Sequence, residues 1–265
     1  MTNKSFKTVL TIAGSDPGGG AGIQSDLRVF DRLGQYGLSV ITAITAQNTQ
    51  GVQAVYPVPA EQVKTQLVSI VGDIPPVATK TGMLPDVHII EEVSELAAAG
   101  ELGMLVVDPV AESSSGTMLA DKECAARITN LLLPFCLLVT PNLQEAGVLT
   151  ERAIVDEAGA MDAARALVAA GAESACVTGG HWEGSPTDFL FDGSIMHTLP
   201  GIRMEAGGQV HGTGCLFSAA AACYMAMGDD TLESVIKAKR LVEQAISEAI
   251  SPGTGMKIPL LSRQI

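Results

Sequence analysis

The chain has 265 residues, of which 47% are hydrophobic and only 4% aromatic, and its formal net charge at pH 7 is -13. This charge excludes nucleic acids and anionic membranes as expected partners, because both repel an acidic protein. The aliphatic composition is typical of parallel sheets covered by Ala-rich helices, and the length allows one domain with a large core.

The first predicted elements are a buried strand at residues 8–13 and a helix at residues 23–33, joined by a glycine-rich loop. A loop of this kind cradles phosphates or lets a small ligand contact the backbone. It contains no lysine and so is not a Walker-type loop. The next predicted strand, 38–46, ends in Gln47-Asn48-Thr49 and lacks the acidic residue of a dinucleotide fingerprint. A purely structural glycine turn stays open as the alternative.

Helices and strands alternate through the rest of the chain. We predict helices at 60–71, 86–99, 121–132 and 162–170, and strands at 77–80, 104–107, 137–139 and 175–178. Asp192-Gly193 favours a tight primed turn, which predicts a β-hairpin between residues 187–191 and 195–199. Two helices follow, at 216–227 and 231–250. The pattern predicts an α/β fold with a mostly parallel central sheet and helices on both faces, and the lack of a linker or repeat predicts a single domain over residues 1–265.

Cysteine usage and apolar runs indicate where the protein resides. No Cys-x-x-Cys pair occurs among the five cysteines, which are Cys124, Cys136, Cys176, Cys215 and Cys223. This pattern favours a reducing compartment over a disulfide framework or a zinc site. The apolar run at 9–13 is too short for a signal peptide, and the run at 131–139 contains Pro134. We therefore expect a cytoplasmic protein without a membrane partner.

Polar residues collect just after the predicted strands, where open α/β sheets bind ligands. These residues are Asp16, Gln47, Asp108, Asn142, Glu145 and His181. Asp108 and Glu145 offer carboxylates and Asn142 an amide, and hard oxygen ligands of this kind suit Mg²⁺ with retained waters. The alternative is that Asn142 caps a helix, with Glu145 at the spacing of a capping box.

The segment 210–219 carries a second glycine loop, Gly212-Thr213-Gly214, and Cys215 then opens an apolar run that predicts a buried helix. Unpaired N–H groups in the first turn of such a helix, approached past glycines, form an anion cradle. We expect the positive end of the helix to lower the pKa of Cys215, so that a thiolate could take a proton from a substrate alcohol. The alternative is a glycine-capped helix with a small buried thiol.

A series of segments between about residues 8 and 250 resembles the hydroxymethylpyrimidine/phosphomethylpyrimidine kinases of thiamine biosynthesis, a family of the ribokinase-like superfamily. The segments are Leu10-Thr11-Ile12-Ala13-Gly14-Ser15-Asp16-Pro17, Gly19-Gly20-Ala21-Gly22-Ile23-Gln24-Ser25-Asp26-Leu27, Val40-Ile41-Thr42-Ala43 with Ala46-Gln47-Asn48-Thr49, Gly82-Met83-Leu84, Asp108-Pro109-Val110, Thr140-Pro141-Asn142-Leu143-Gln144-Glu145-Ala146, Gly179-Gly180-His181 and His211-Gly212-Thr213-Gly214-Cys215.

The resemblance implies a ribokinase-like three-layer sandwich that uses ATP and Mg²⁺ to phosphorylate 4-amino-5-hydroxymethyl-2-methylpyrimidine and then its monophosphate. It implies a pyrimidine pocket lined by Gly14, Asp26, Thr45, Gln47 and Met83, in which Gln47 reads the ring edge. It assigns the metal to Asp108 and Glu145, and the nucleotide to Asn142, Thr178 and Gly180. It assigns the base to Cys215 and the anion hole to the amides of Gly212, Thr213, Gly214 and Cys215. We also expect a homodimer.

Three departures from the family pattern fall on the nucleotide side. Thr178 stands where the family commonly has a lysine that helps to hold ATP, residues 111–116 replace a usual Met-Val-Ala-Lys/Thr stretch, and Val210 replaces a frequent threonine. Two other functions therefore stay open. One is a pyridoxal kinase, because pyridoxal also carries a hydroxymethyl group on a six-membered heteroaromatic ring. The other is a catalytically weak regulator that binds the pyrimidine.

Overall fold

The structure, a computed structural model, describes residues 6–110, 122–180, 185–204 and 209–261. Its described strands form a nine-stranded sheet in the order β3-β2-β1-β4-β5-β6-β7-β8-β9. The strands are β1 Thr8–Ser15, β2 Tyr36–Asn48, β3 Gly51–Pro57, β4 Ala78–Thr81, β5 Met104–Val107, β6 Cys136–Val139, β7 Ser174–Val177, β8 Asp188–Phe191 and β9 Met196–Leu199. Pairing is parallel from β2 to β7, and β3, β8 and β9 add antiparallel at the two edges. This confirms the predicted α/β fold.

Helices cover both faces of the sheet. They are α1 Gly22–Arg32, α2 Ala60–Val71, α3 Val87–Ala98, α4 Lys122–Arg127, α5 Leu143–Thr150, α6 Glu157–Ala169, α7 Thr213–Met227 and α8 Thr231–Ser247. One apolar core contains Leu67 of α2 and Ile90 of α3, and the other contains Phe30 of α1 and Val235 of α8. Neighbouring residues of the central strands point into opposite cores, which is why these strands read as continuous apolar runs rather than as alternating patterns. The layers are those of a three-layer sandwich.

Two local predictions were incomplete, and a third was confirmed. The edge strand β3 was not predicted, because a half-exposed edge strand lacks a strong apolar run. The helix predicted at 121–132 is α-helical only to Arg127; a π-helical turn and a 3-10 turn containing Pro134 follow. The predicted hairpin is present as β8 and β9: the Asp192 N–H donates to the Ile195 carbonyl at 3.2 Å, Gly193 has φ 92°, and the Asp192 carboxylate accepts N–H bonds from Ser194 and Ile195.

The helix that carries the second glycine loop is the most deeply buried of the described helices. Helix α7 is apolar on all sides, as expected for a helix enclosed by others. It packs on β1, β4 and β5 and is covered by α1 and α8. Its first turn therefore points at the carboxyl ends of these strands. The chain leaves β1 towards β2 on one side and returns as β4 on the other, which leaves a crevice at that edge.

No helix within the described ranges combines the length and the apolar character needed to cross a membrane.

Candidate functional site

A cavity of about 810 Å³ lies at the carboxyl edge of the parallel strands. It is lined by every predicted site residue except Asp26: Gly14, Thr45, Gln47, Met83, Asp108, Asn142, Glu145, Thr178, Gly180, Gly212, Thr213, Gly214 and Cys215. A second, open cleft of about 1010 Å³ runs along α4 and α5 and contains none of these residues. The sequence-predicted residues thus converge on one place, although they come from the ends of six strands and the first turns of α5 and α7.

Asp26 does not line the cavity, which corrects the role that the resemblance implied for it. Its side chain is fully buried, accepts a hydrogen bond of 2.6 Å from Thr11 Oγ1, and lies 3.0 Å from Lys80 Nζ. Burial raises the pKa of Asp26, and the charge of Lys80 opposes that rise. Because the second turn of α1 faces the sheet here, this carboxylate holds the charge of a buried lysine instead of touching a ligand.

Lys80 was not among the predicted site residues, and although it does not line the cavity, it lies directly behind Asp108, which does. It is fully buried at the end of β4, and its Nζ lies 3.0 Å from Asp26 Oδ2 and 3.6 Å from Asp108 Oδ2. Burial alone would lower the pKa of Lys80, but the neighbouring carboxylates outweigh it and raise the pKa, so this ammonium stays charged. A lysine within a buried parallel strand was the available signal, because such a charge requires carboxylate partners.

Asp108 reaches the cavity from the end of β5. Its Oδ2 accepts a hydrogen bond of 2.8 Å from Ser218 Oγ of α7. Burial raises the pKa of Asp108, and Lys80 opposes that rise. When both are ionised, Asp108 and Asp26 exceed the single charge of Lys80 by one negative charge, which is the sign that a divalent cation requires.

The capping alternative for Asn142 and Glu145 is confirmed. Asn142 Oδ1 accepts a hydrogen bond from the Glu145 N–H, and Glu145 Oε2 accepts one from the Asn142 N–H, both at 2.9 Å. Both residues still line the cavity, so the cap also presents a carboxylate to it. Within the described ranges no three His, Cys, Asp or Glu side chains form a metal cluster. A cation held by Asp108 and Glu145 would complete its shell with water and phosphate oxygens, as Mg²⁺ commonly does.

Cys215 is the third residue of α7, but its pKa is opposite to the prediction. Burial raises the pKa of the thiol to about 12; Lys80 opposes this, Asp108 and Asp26 add to it, and the N–H of Gly22 opposes it again. The expected lowering of this pKa by the helix end was wrong, because it ignored first the burial of the thiol and then the two carboxylates contributed by other elements. The side chain is partly exposed towards the cavity, and its thiol is protonated at neutral pH.

The backbone around Cys215 has the form of an anion cradle. Gly212 caps α7 with φ 85°, and a Cβ there would collide with the carbonyl of Gly20, so the two glycine loops interlock. The first helical bond runs from the Leu216 N–H to the Gly212 carbonyl, which leaves the preceding N–H groups of the first turn without helical partners. Outside its chain neighbours and the backbone of its own helix, a Cβ on Gly214 would meet no atom of the described residues within 4 Å. These donors and this space fit a phosphate group.

Gln47 also lines the cavity, and its side chain contacts a residue that was not predicted as part of the site. Its carboxamide lies 2.8 Å from His211 Nε2, and that nitrogen lies 3.4 Å from Asp16 Oδ2. Asp16 also accepts N–H bonds from the first glycine loop. Burial alone would raise the pKa of Asp16, but the hydrogen bond to His211 and the loop N–H donors lower it. The carboxylate is therefore ionised at neutral pH.

The remaining wall contains Thr178 and a buried ion pair. Thr178 is half-buried, and its N–H donates to the Pro141 carbonyl at 2.9 Å. Lys239 Nζ lies 2.7 Å from Asp188 Oδ2, and Asp188 Oδ1 accepts a hydrogen bond from the Gly179 N–H. Lys239 lines the cavity, so this wall has a cation although position 178 does not. His181 and the departures at 111–115 lie outside the described residues.

Comparison with known proteins places the chain among vitamin kinases. The sequence matches the phosphomethylpyrimidine kinase family over residues 16–260. It is 46% identical over 243 residues to the hydroxymethylpyrimidine/phosphomethylpyrimidine kinase of Rhizobium meliloti, a match that covers 91% of this chain and 90% of that protein. It is 43% identical over 249 residues to the thiamine biosynthesis bifunctional protein ThiED of Geobacter sulfurreducens, and that match covers 94% of this chain but only 51% of the relative. This chain therefore spans about half the length of that relative.

Among solved structures, the pyridoxal kinase of Bacillus subtilis in its ADP complex superimposes with a TM-score of 0.87. The two chains are 33% identical, and the match covers 96% of this chain and 98% of the kinase. At this similarity the fold is shared along nearly the whole chain. The sequence relative is named as a kinase of pyrimidines, whereas this structural neighbour is named as a kinase of pyridoxal. The shared fold alone therefore does not determine which alcohol is phosphorylated.

Proposed function

This chain belongs to the phosphomethylpyrimidine kinase family, and from that premise we propose that it transfers the γ-phosphoryl group of ATP to the hydroxymethyl group of 4-amino-5-hydroxymethyl-2-methylpyrimidine, and then to the resulting monophosphate, in thiamine biosynthesis. One observation carries the proposal: a single cavity holds Gln47, which suits an aminopyrimidine edge, and the first turn of α7, which suits a phosphate.

In the first transfer, the hydroxymethyl oxygen attacks the γ-phosphorus of ATP. The new O–P bond forms as the bond to the β,γ-bridging oxygen breaks, and ADP leaves. The hydroxyl proton passes to the thiolate form of Cys215, which is the minor form at neutral pH because burial raises the pKa of the thiol to about 12. The N–H groups of Thr213, Gly214 and Cys215 stabilise the charge on the transferring group. The positive charge of the buried Lys80 stabilises the thiolate of Cys215, because it opposes the rise in the thiol pKa that burial causes.

The donor site fits ATP and a divalent cation. Asp108 and Glu145 present carboxylate oxygens to the cavity, and Asn142, Thr178 and Gly180 line the same wall. Bound Mg²⁺ supplies charge neutralisation of the β- and γ-phosphates. Among the residues that the structure describes, a Cβ on Gly180 would meet no atom within 4 Å apart from its chain neighbours, which leaves room for a phosphate next to its backbone.

The second transfer needs less help from a base. The monophosphate attacks through an oxygen that is already ionised, so positioning and charge neutralisation dominate over proton removal. The same α7 cradle and Asp108 serve both transfers in this proposal.

We also propose that the protein acts in the cytoplasm as a homodimer. All five cysteines are free thiols, which supports a reducing compartment. Ile44 of β2 and Tyr56 of β3 pair across the sheet edge and are 57% and 62% exposed, a small apolar face that supports association.

The acceptor alcohol is the first quantity to measure. In a coupled ADP-release assay with MgATP, we expect kcat/KM for the aminopyrimidine alcohol to exceed that for pyridoxal by more than about tenfold, because Gln47 can both donate to and accept from an aminopyrimidine edge. A higher kcat/KM for pyridoxal would refute the proposal in favour of a pyridoxal kinase. Tight binding of the pyrimidine without turnover would favour the regulator.

Thr178→Lys is expected to lower the KM for MgATP by about tenfold. An ammonium beside a polyphosphate makes a charge-assisted contact worth about 1.5–3 kcal/mol, which a hydroxyl cannot make. Thr65→Lys adds the same charge at an exposed site of α2 outside the cavity and should leave this KM unchanged. If Thr178→Lys folds and the KM does not move, Lys239 already supplies the cation. If it unfolds the protein, the side chain at 178 does not face the phosphates.

A further inference from the structure

The carboxamide of Gln47 is held at both ends by protein groups. In the structure its Nε2 lies 2.8 Å from His211 Nε2, and its Oε1 lies 3.4 Å from Thr45 Oγ1. His211 Nε2 in turn lies 3.4 Å from Asp16 Oδ2, and Thr45 Oγ1 lies 3.0 Å from the Ser15 carbonyl oxygen. All four side chains line the cavity. They form one chain of hydrogen bonds that ends in a carboxylate on one side and a carbonyl on the other.

The two ends of this chain determine where its protons lie. A carbonyl only accepts, so the single hydroxyl proton of Thr45 goes to Ser15, and Thr45 offers a lone pair to Gln47. The Asp16 carboxylate also only accepts, and it already accepts N–H bonds from Gly20 and Ala21. His211 therefore carries a proton on Nε2 and donates it towards Asp16 and Gln47. The ends of an amide have similar shapes, and their partners decide its orientation.

Only one orientation of the amide satisfies both neighbours. Gln47 must turn its oxygen to the ring N–H of His211 and its NH₂ group to Thr45 Oγ1, which exchanges the two amide ends relative to their placement in the structure. With the opposite orientation, the NH₂ group of Gln47 would face the ring N–H of His211, so two donors would face each other. The oxygen of Gln47 would face the lone pair of Thr45 Oγ1, so two acceptors would face each other. After these bonds form, the amide keeps one oxygen lone pair and one N–H for a ligand.

On the basis of the proposed function, we propose that Asp16, His211 and Thr45 are positioning residues that lock the Gln47 amide in one orientation and so make the cavity specific for a ring edge with an amino group beside an unprotonated ring nitrogen. The amino group donates to the free lone pair of Gln47, and the ring nitrogen accepts from its free N–H. A 4-oxo pyrimidine presents the reverse, a carbonyl beside a ring N–H, and is rejected because both of its groups meet like partners.

The packing keeps the positioning residues in place without a ligand. The backbone N–H of His211 donates to the Lys257 carbonyl at 2.9 Å. A Cβ on Gly20 would come within 2.9 Å of the His211 ring, so the first glycine loop packs directly against the imidazole. His211 and Thr45 are only 8% and 7% exposed. The lock therefore exists before the substrate arrives, which is the condition for rejection of a competing edge.

The test compares the binding of two ligands that differ only at this edge. They are 4-amino-5-hydroxymethyl-2-methylpyrimidine and its 4-oxo analogue, titrated into the full chain by calorimetry without nucleotide. We expect the wild-type protein to prefer the amino ligand by about a hundredfold or more. His211→Ala frees the amide to rotate and should reduce this preference to less than about tenfold, mainly by improving the binding of the oxo ligand relative to the amino ligand.

A merely structural role of His211 gives a different result. It would weaken both ligands by the same factor and leave their ratio unchanged, which would overturn the proposal. His197→Ala is the matched control, because it removes another histidine paired with an aspartate, 2.7 Å from Asp192, outside the cavity. If His211→Ala does not fold, Thr45→Val removes the other anchor at similar shape and should lower the ratio in the same direction.

The proposed function and this inference fail in distinguishable ways. Preference for the amino ligand in binding without ADP release under MgATP supports the lock and overturns the kinase function. Turnover of the amino ligand by a wild-type protein that binds the oxo analogue equally well supports the kinase function and overturns the lock.

Discussion

Cys215→Ala is expected to lower the rate of the first phosphoryl transfer by about a hundredfold or more, the usual loss when a general base is removed. Phosphorylation of the monophosphate should fall much less, since its attacking oxygen is already ionised. Both rates can be followed by separating the mono- and diphosphate products over time. Cys223→Ala, two turns further along α7 and fully buried, is the matched control and should leave both rates nearly unchanged.

The raised pKa of Cys215 adds a pH dependence to this prediction. Because that pKa is about 12, the thiolate fraction of the free protein is small at neutral pH and rises about tenfold per pH unit. The kcat/KM for the alcohol reports groups of the free protein, so it should rise with pH between about 7 and 9. Cys215→Ala should remove that rise. Equal small losses in both transfers, with the pH profile unchanged, would make Cys215 a packing residue and the backbone amides the main catalyst.

Lys80→Met is expected to reduce the free energy of unfolding by about 3–5 kcal/mol at pH 7, the typical result of breaking a buried ion pair. The substitution leaves Asp26 and Asp108 close together in the interior without a cation. Urea unfolding followed by circular dichroism measures the loss. Lys64→Met removes an exposed lysine paired with Glu92 and should change stability little.

The loss at Lys80 should depend on pH with a definite sign. Burial already raises the pKa of Asp26 and Asp108 in the presence of Lys80, and removal of Lys80 raises both further. A carboxyl group whose pKa is higher in the folded than in the unfolded state destabilises the protein fully above the folded pKa; this penalty decreases as the pH falls through the folded pKa and is gone below the unfolded pKa. The stability difference should therefore be smaller at about pH 5 than at pH 7. A second substitution, Asp26→Asn, should recover part of it at pH 7.

A neutral effect of Lys80→Met at both pH values would show that the carboxylates are stabilised by other groups. The rate of the first transfer in Lys80→Met would then be unaffected by a change in stability. Any loss of that rate would come from the missing positive charge beside Cys215.

Local sequence patterns were sufficient for most of the fold. Continuous apolar runs such as 104–107 predicted buried parallel strands, because strands covered on both faces have no polar side. The Asn142 to Glu145 spacing predicted the capping box that the structure contains, because a cap involves only neighbours along the chain. The edge strand β3 escaped prediction, since pairing along one side and partial exposure leave little pattern to detect.

The sequence by itself also determined which residues meet, because residues that follow parallel strands share one edge of the sheet. It did not determine how deeply those residues are buried, which charges lie next to them, or in which direction their pKa values shift. Asp26 was predicted as a pocket residue and became the partner of Lys80; Cys215 was predicted to have a lowered pKa and has a raised one. Only the tertiary structure decided these properties. A pKa depends on burial and on charges across space, and those charges come from β4, β5 and α1, which are far apart along the chain.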